Sequence, residues 1–455
     1  MQTSADLGGS AAVKHGLDLL AQDIQQNDLN DVQRKDIFGQ LKVLGRDVNN
    51  VKNLYDESAV KILGHFGFGK YTRDVAREAL RCLANALILI PSTQDAFDAC
   101  GFIPKAAELL SNSDDDDEFL ASRMLFLMTY NASANVPKFV VEGELPSKMQ
   151  VHFERHITAG EPLVGAGITS MALSETLKLL FNLVSFAPQQ VNEFMPAMRP
   201  LFQILSTAKI PSPPLQPPIT YLLNALACLE IDEKTETTDG RQWFSNDTIL
   251  ESSINKFVEI LDQSLKSYPQ NTLDTQLISL LTILRRMNAF ASNNIRQKLK
   301  AELLPKDNER SLPLGQSGTL ASRLLKLTTA PGLVHLPEAV SSLLFELSDK
   351  DAHTFVKNVG YGYAAGYLMT HKIPIPENAQ QSSSTEGEVP VNPVTGQRLD
   401  KEPDVEMPEM TQEEKEREAE RLYVLFERLK ATGVVDVKNP VEQAKEEGRF
   451  EEVDD

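Results

Sequence analysis

The first stretch with residues suited to chemistry is GHFGFGKYT, residues 64–72. Its Gly-x4-Gly-Lys spacing is that of a phosphate-binding loop, which holds phosphates with backbone N–H groups and a Lys, and Mg²⁺ with a Ser or Thr. Here Tyr71 follows Lys70, and the residues before the loop have helical spacing instead of the required strand. We predict that these glycines separate two helices by supplying a positive φ, and that no nucleotide binds.

Two further motifs have imperfect spacing for chemistry. NVGYGYAAG, residues 358–366, is one residue away from a dinucleotide-binding fingerprint, and no strand pattern precedes it. HFERH places His152 and His156 four residues apart, as in zinc proteases, but Glu154 stands one position later than the Glu of those enzymes. We interpret both histidines as exposed helix residues. The sequence predicts no catalytic site, no metal and no cofactor.

The composition limits the classes of partner. The chain has 455 residues and 42% hydrophobic content, enough for a large core, and its net charge of −19 argues against nucleic acid or anionic lipid as a ligand. Cys82, Cys100 and Cys228 form no close pair, which is typical of a reducing compartment. The N-terminal residues lack a signal-peptide core, and no run of about 18 apolar residues occurs. We therefore expect a cytoplasmic protein.

Internal repeats supply the elements that must position any site. Segments 78–110 and 175–205 share a Leu-rich helical pattern with an Asn near its end, a Pro break and further amphipathic segments, and 339–368 is related to them. Equivalent helices recur every forty to sixty residues, roughly the period of armadillo or HEAT repeats with insertions. Because one repeat cannot bury its own apolar face, successive repeats stack. We predict an all-α, armadillo/HEAT-like superhelical solenoid over residues 1–372, with a concave groove.

The composition changes at the end of the predicted solenoid. Residues 373–410 are rich in Pro, Ser and acidic side chains, which predicts an extended linker. Residues 411–433 have the caps and apolar stripe of an amphipathic helix, and residues 434–455 form an acidic tail. Together these segments predict a flexible, acidic C-terminal extension.

Three asparagines are candidate contacts in the groove. Asn85, Asn182 and Asn224 follow the paired leucines of their repeats, on the helices expected to line the groove. The amide of an Asn can bond both a donor and an acceptor of a peptide backbone, so these positions suit an extended or helical ligand. The alternative is that each amide only caps a neighbouring turn.

Two basic pairs are candidate sites for a carboxylate or an acidic peptide. Lys42 and Arg46 are four residues apart on an expected helical face, as are Arg77 and Arg81. Basic pairs within an acidic chain favour an anionic ligand. A solvated helical face is the alternative.

Four blocks of the sequence together resemble the synembryn family. They are REALRCLANAL, GYGYAAG, NPVTG and the C-terminal block from MTQEEKEREAERLYVLFERLKATG to RFEEVDD, and the last two look closest to fungal members. The family comprises armadillo-fold chaperones and guanine nucleotide exchange factors for alpha subunits of heterotrimeric G proteins. The resemblance covers most of the chain. It implies that the C-terminal helix of an alpha subunit lies in the groove and that helices beyond the solenoid contact the GTPase fold.

The resemblance also implies roles for particular residues. Asn85, Lys42 and Arg46 would meet the alpha subunit's C-terminal helix and its terminal carboxylate. At position 42 the resemblance implies an Arg, whose guanidinium can form two parallel hydrogen bonds to a carboxylate. The Lys at this position weakens such bidentate pairing. The family's acidic phosphorylation sites correspond to Ser383 and Thr385, each followed three residues later by a Glu.

The implied function is to bind a newly made or GDP-loaded alpha subunit and to stabilise its nucleotide-free state. We expect a monomer that has no cofactor, binds no nucleic acid, inserts no segment into a membrane and reaches the cell cortex only through its partner. The alternative is an importin-like armadillo adaptor for linear cargo peptides. Nucleotide release distinguishes the two, because an adaptor does not alter it.

Overall fold

The computed structural model describes residues 8–131, 135–158, 167–229, 247–374, 390–392 and 394–402, together with residues 411, 415, 417, 418, 420, 421, 423 and 424. The chain divides into two compact units, Met1–Asp400 and Lys401–Asp455. The described part of the second unit is helical at residues 415, 417, 418, 420, 421, 423 and 424. Ser383, Thr385 and residues 434–455 lie outside the described residues.

The described residues of the first unit are mainly α-helical. In chain order they are α1 (Gly9–Gln26), α2 (Asp31–Leu44), α3 (Val48–Val51), α4 (Glu57–Phe68), α5 (Arg73–Leu89), α6 (Ser92–Ala99), α7 (Phe102–Leu109), α8 (Asp115–Met128), α9 (Val136–Glu142), α10 (Leu145–Thr158), α11 (Ile168–Phe186), α12 (Val191–Phe194), α13 (Met198–Thr207), α14 (Ile219–Cys228), α15 (Asp247–Ser267), α16 (Gln270–Gln276), α17 (Ile278–Phe290), α18 (Asn293–Leu303), α19 (Leu320–Thr328), α20 (Leu336–Leu347), α21 (Ala352–Val359) and α22 (Tyr361–Thr370). Short 3₁₀ helices occupy Pro188–Gln190, Met195–Ala197, Asp307–Ser311 and Leu399–Lys401.

One set of helices stacks in sequence through the first unit. Each of α2, α5, α8, α11, α14, α17 and α20 packs against the next member of this set, and we call them the ladder helices. A second layer stacks in the same way, with α10 on α13, α13 on α15 and α15 on α18. The prediction of an all-α solenoid of stacked helical repeats is confirmed. Within the described residues, the β-structure found is an isolated antiparallel bridge.

A continuous apolar core runs through the stack, from Val13 in α1 to Leu368 in α22. Each ladder helix supplies it with apolar residues at helical spacing, as Val75, Ala79 and Leu83 do in α5. The pattern repeats because each interior ladder helix packs against a ladder helix on either side. Among the described helices, none is long and apolar enough to cross a membrane.

The glycines of residues 64–72 serve close packing. Gly64 and Gly67 lie inside α4, so the prediction that they separate two helices with a positive φ is wrong. A Cβ added at Gly64 would stand 2.2 Å from the ring of Phe102, and one at Gly67 would stand 2.5 Å from Leu80. The missing side chains therefore allow α7 and α5 to approach α4.

Part of the predicted linker 373–410 is bonded to the first unit. Within its described residues, Gly362 N–H donates to the carbonyl of Val394 and Leu314 N–H to that of Thr395. The compact unit extends to Asp400 accordingly.

Candidate functional site

The ladder helices expose about one side chain per turn on a common surface. On α5 the stripe runs through Arg81, Asn85 and Ile88. Equivalent stripes occur on α8, α11 and α14, and contacts between helices connect them. We call the surface formed by these stripes on α5, α8, α11 and α14 the ladder face.

Three of the four predicted basic residues are neutralised within the chain. Lys42 Nζ lies 2.6 Å from Glu78 Oε2, and Arg81 Nη1 lies 2.6 Å from the other oxygen of the same carboxylate. Arg81 also pairs with Asp116 on the next ladder helix. A ligand carboxylate that bound Lys42 or Arg81 would have to displace these partners.

Arg77 is held by the acidic N-terminus of α8. Its Nε lies 2.7 Å from Asp117 Oδ1 and its Nη2 lies 2.6 Å from Asp114 Oδ1. These hydrogen bonds raise the pKa of Arg77 above its ordinary value, despite partial burial. Burial acts to raise the pKa of Glu78, but Lys42 and Arg81 hold it below its ordinary value. We call Lys42, Arg77, Glu78 and Arg81, with their carboxylate partners at the start of α8, the charged row. These ion pairs connect neighbouring ladder helices.

Arg46 differs from the other three basic residues. Helix α2 ends at Leu44, so Lys42 and Arg46 do not share one helical face as predicted. Arg46 lies in the exposed turn beyond, and its side chain makes no ion pair or hydrogen bond with any described residue. It is the basic side chain of the predicted set that is accessible to a ligand.

The predicted asparagines connect neighbouring ladder helices. Asn85 donates to the carbonyl of Lys42 at 3.4 Å, and Asn182 donates to Thr129 Oγ1 at 2.8 Å. Asn224 accepts a hydrogen bond from Ser279 Oγ at 2.7 Å. Each amide uses one end within the fold, and contact of the other end with a ligand stays a prediction.

An aromatic pocket on the ladder face joins two of these asparagines and was missed by the sequence reasoning. This cavity of about 230 Å³ is lined by Phe126, Tyr130, Leu177, Lys178, Phe181, Asn182, Tyr221 and Asn224. Lys178 Nζ lies 4.9 Å from the centroid of Phe126 and 5.6 Å from that of Tyr221, so one cation on α11 contacts a ring on each of the two ladder helices beside it, α8 and α14. The signal available in the sequence was Phe181, an aromatic residue on the exposed side of the mainly apolar helix α11.

Apolar residues continue along the ladder face toward the C-terminal ends of its helices. Ile88 is 52% exposed, and Tyr130 is 60% exposed. The rings of Tyr130 and Phe186 lie 6.4 Å apart, so the exposed apolar surface bridges α8 and α11. Charged residues at the N-terminal ends and apolar ones at the C-terminal ends give this surface an amphipathic character.

The histidine pair lies in a buried polar cluster on α8, α10 and α11. His152 is 1% and His156 is 5% exposed, so the interpretation of exposed helix histidines is wrong. Both rings face Glu118, with His152 Nδ1 3.1 Å and His156 Nε2 3.0 Å from its oxygens. His152 Nε2 lies 2.7 Å from the carbonyl of Leu110, which only accepts hydrogen bonds, so this nitrogen carries a proton.

Glu118 is fully buried, and more donors reach it from two helices. Thr176 donates to it at 2.7 Å, and Arg155 pairs with it. Burial acts to raise the pKa of Glu118, but His152 and His156 hold it well below its ordinary value of 4.5. Within the described residues, no group of three or more His, Cys, Asp and Glu side chains is arranged to hold a metal ion.

Known proteins resemble this chain over most of its length. A family model described as guanine nucleotide exchange factor synembryn matches residues 37–449. The chain is 26% identical over 420 residues to a synembryn-like chaperone of Schizosaccharomyces pombe, covering 83% of this chain and 76% of that protein. It is 27% identical over 399 residues to chaperone Ric-8A of Bos taurus, covering 80% of this chain and 72% of that protein.

Two solved structures superpose on part of this chain. A designed armadillo repeat protein has a TM-score of 0.37 and 13% identity, covering 64% of this chain and 99% of that one. An engineered protein has a TM-score of 0.41 and 16% identity, covering 61% and 97%. It is the family match, which spans residues 37–449, that assigns this chain: it belongs to the guanine nucleotide exchange factor synembryn family.

Proposed function

We propose that this chain is a chaperone and exchange factor for alpha subunits of heterotrimeric G proteins, and that it has no catalytic site of its own. The C-terminal helix of the alpha subunit lies along the ladder face in this proposal. The membership of the synembryn family supports the partner class. The exposed aromatic pocket is the observation that supports the location.

An amphipathic helix is the ligand that this surface fits. Helices that dock in grooves place apolar residues in pockets at i, i+3, i+4 and i+7 and keep polar residues at the rim. Tyr130, in the turn that follows α8, and Phe181, on the adjacent ladder helix α11, are exposed aromatic side chains, with Lys178 and Asn182 beside them. Aromatic residues of this kind carry much of the binding energy at protein interfaces.

A terminal carboxylate is best placed at Arg46. Lys42, Arg77 and Arg81 already have carboxylate partners, while Arg46 has none among the described residues. Asn85 bonds the carbonyl of Lys42 near the same end of α2, and its amide oxygen accepts no hydrogen bond from the described residues. Arg46 and Asn85 are therefore our candidates for this end of the ligand.

The mechanism is conformational. A protein that binds the empty alpha subunit more tightly than the loaded one must lower the affinity of that subunit for nucleotide by the same factor. The same preference stabilises a newly made alpha subunit before it has bound nucleotide. We further propose that the chain acts in the cytoplasm as a monomer, and that phosphorylation at Ser383 and Thr385 modulates it.

The experiment measures GDP release from a purified alpha subunit, with and without this protein. Release should accelerate, and Tyr130→Ala together with Phe181→Ser should weaken binding of the alpha subunit's C-terminal peptide by about tenfold or more. Val151→Ala is the matched control, because Val151 is 56% exposed but belongs to α10, outside the ladder face. Unchanged GDP release with the wild-type protein contradicts exchange activity. Equal effects of the control and the ladder-face variant contradict the location.

A further inference from the structure

Residues 390–392 and 394–399 form a compact turn closed by an antiparallel bridge. Asn392 Oδ1 accepts the N–H of Val394 at 2.9 Å, as in an Asx turn. Gly396 N–H donates to the carbonyl of Asn392 at 2.8 Å. The φ of Gly396 is +66°, a conformation that favours glycine. We call this turn the clasp.

Main-chain hydrogen bonds attach the clasp to the C-terminal end of the first unit. The carbonyl of Val394 accepts the N–H of Gly362 at 3.2 Å, and the carbonyl of Thr395 accepts the N–H of Leu314 at 2.9 Å. Both donors belong to segments far away in sequence. Contacts of this type recognise the shape of a peptide backbone more than its side chains.

One buried guanidinium connects the clasp to α21. Arg310 is 8% exposed, and its Nη1 donates to the carbonyl of Gly396 at 3.0 Å. Its Nη2 donates to the carbonyls of Lys357 and Asn358, at 2.9 and 3.2 Å, in the last turn of α21. The carbonyl of Arg310 accepts the N–H of Arg398 at 2.8 Å. Arg310 therefore satisfies helix-end carbonyls and holds the clasp at once.

Close approach of the neighbouring atoms, together with positive φ at Gly360 and Gly396, favours glycine on both sides of this contact. A Cβ added at Gly360, whose φ is +82°, would lie 3.2 Å from the carbonyl oxygen of Val394, and one at Gly362 would lie 3.3 Å from it. On the other side, a Cβ at Gly396 would lie 2.4 Å from Leu314. The sequence blocks GYGYAAG and NPVTG thus meet in the fold.

We propose that Arg310, Leu314, Gly360 and Gly362 form a peptide-recognition site, which this chain fills in cis with the clasp. The ligand class is a short Asn-initiated turn ending in Gly, recognised through its main-chain carbonyls. The clasp then binds the last described repeat of the first unit, through Gly362 of α22.

The test asks whether the clasp stays bound after its covalent connection is cut. A site for a sequence-specific protease is placed between Gln380 and Gln381 of the full-length chain, and the cleaved protein is analysed by size-exclusion chromatography. The C-terminal fragment should co-elute with the solenoid, and a synthetic peptide of residues 390–400 should release it. Gly396→Ala should weaken retention by about tenfold.

Gly366→Ala is the matched control, because it adds the same methyl group to α22 where nothing lies within 4 Å. Its fragment should be retained like that of the wild type. Loss of the wild-type fragment overturns the proposal, and so does equal retention of the Gly396→Ala fragment, because another contact then holds it.

A second measurement uses the uncut chain. Hydrogen exchange at the N–H groups of Leu314 and Gly362 should be faster in Gly396→Ala than in the wild type, since both groups donate to the clasp. Gly366→Ala should leave these rates unchanged. Unchanged exchange in Gly396→Ala contradicts the proposal even if cleavage perturbs the fold.

Discussion

Glu118 is a buried charge that links three helices of the stack. It belongs to α8, its close partners His152 and Arg155 belong to α10, and its donor Thr176 belongs to α11. Replacing one member of such a group leaves the others buried without a partner, which costs several kcal/mol. This cluster is therefore a structural feature of the fold, although its histidines have the spacing of a metal site.

We predict that Glu118→Gln lowers the free energy of unfolding at neutral pH by about 3 kcal/mol. The pKa of Glu118 in the folded protein lies below its ordinary value of 4.5, so its contribution is complete above that pH and is lost as the pH falls through the folded value. The variant should therefore lose less stability on acidification than the wild type does. Urea unfolding at several pH values measures both effects.

Glu57→Gln is the control, because its pair with Lys61 is exposed on α4. It should unfold like the wild type at every pH. Parallel pH profiles of Glu118→Gln and the wild type would show that the cluster does not depend on the charge of Glu118.

The charged row on α2 and α5 gives a second residue-scale prediction. Arg46→Ala should weaken binding of the alpha subunit's C-terminal peptide, because Arg46 is the accessible basic side chain of the set. Glu78→Gln should strengthen it by about fivefold, because it removes the carboxylate partner of Lys42 and one of the two carboxylate partners of Arg81. Titration calorimetry with the peptide measures both.

Amidating the C-terminus of the peptide is the control for this prediction. It should reduce the effects of both substitutions, because it removes the charge on which they act. If Glu78→Gln binds the peptide with a free C-terminal carboxylate more weakly than the wild type does, Lys42 and Arg81 stabilise the fold and do not contact the ligand.

At the scale of elements, the contribution of the predicted helix over 411–433 can be measured separately from that of the clasp. Truncation after Glu402 keeps the clasp residues and removes that segment, whereas truncation after Lys372 removes both. We predict that the longer truncated chain binds the C-terminal peptide like the full chain but releases GDP from the alpha subunit much more slowly. The physical reason is that an isolated amphipathic helix of this length is marginally stable and needs a surface to cover.

GDP release by the two truncated chains and the full chain measures this. If the chain ending at Glu402 exchanges at the full rate, the first unit alone suffices and the helix has another task. The chain ending at Lys372 should in addition unfold at a lower temperature, because it lacks the clasp contacts to Leu314 and Gly362.

Local patterns predict helices and their stacking but not the contacts between repeats. The apolar period of α5 is visible in the sequence because each of its turns is buried in the same way. The role of Gly64 cannot be predicted from the sequence, because it depends on the ring of Phe102 in another helix. The ion pairs of Arg77 cannot be predicted either, because they depend on carboxylates of the next ladder helix. The pairs Lys42–Arg46 and His152–His156 were misjudged because spacing reveals neither where a helix ends nor which side it buries.

At the scale of the whole molecule, we predict that the protein binds no nucleotide by itself. Side chains of neighbouring helices fill the space beside Gly64 and Gly67, and the clasp fills the space beside Gly360 and Gly362. Neither stretch therefore has a free cradle of N–H groups. Titration calorimetry with GTP, GDP and ATP should give no heat of binding, and micromolar affinity for any of them contradicts this prediction.

The stepwise stacking of the ladder helices has a consequence for synthesis on the ribosome. Bonds across the ladder connect residues about one repeat apart, such as 43 positions for Asn85 and Lys42 and 53 for Asn182 and Thr129. Each repeat can therefore be completed as soon as the following one has left the exit tunnel, without waiting for the C-terminus. A chain built in this way matures vectorially from its first helix, and the clasp, whose residues emerge after α22, is the last part to join the first unit.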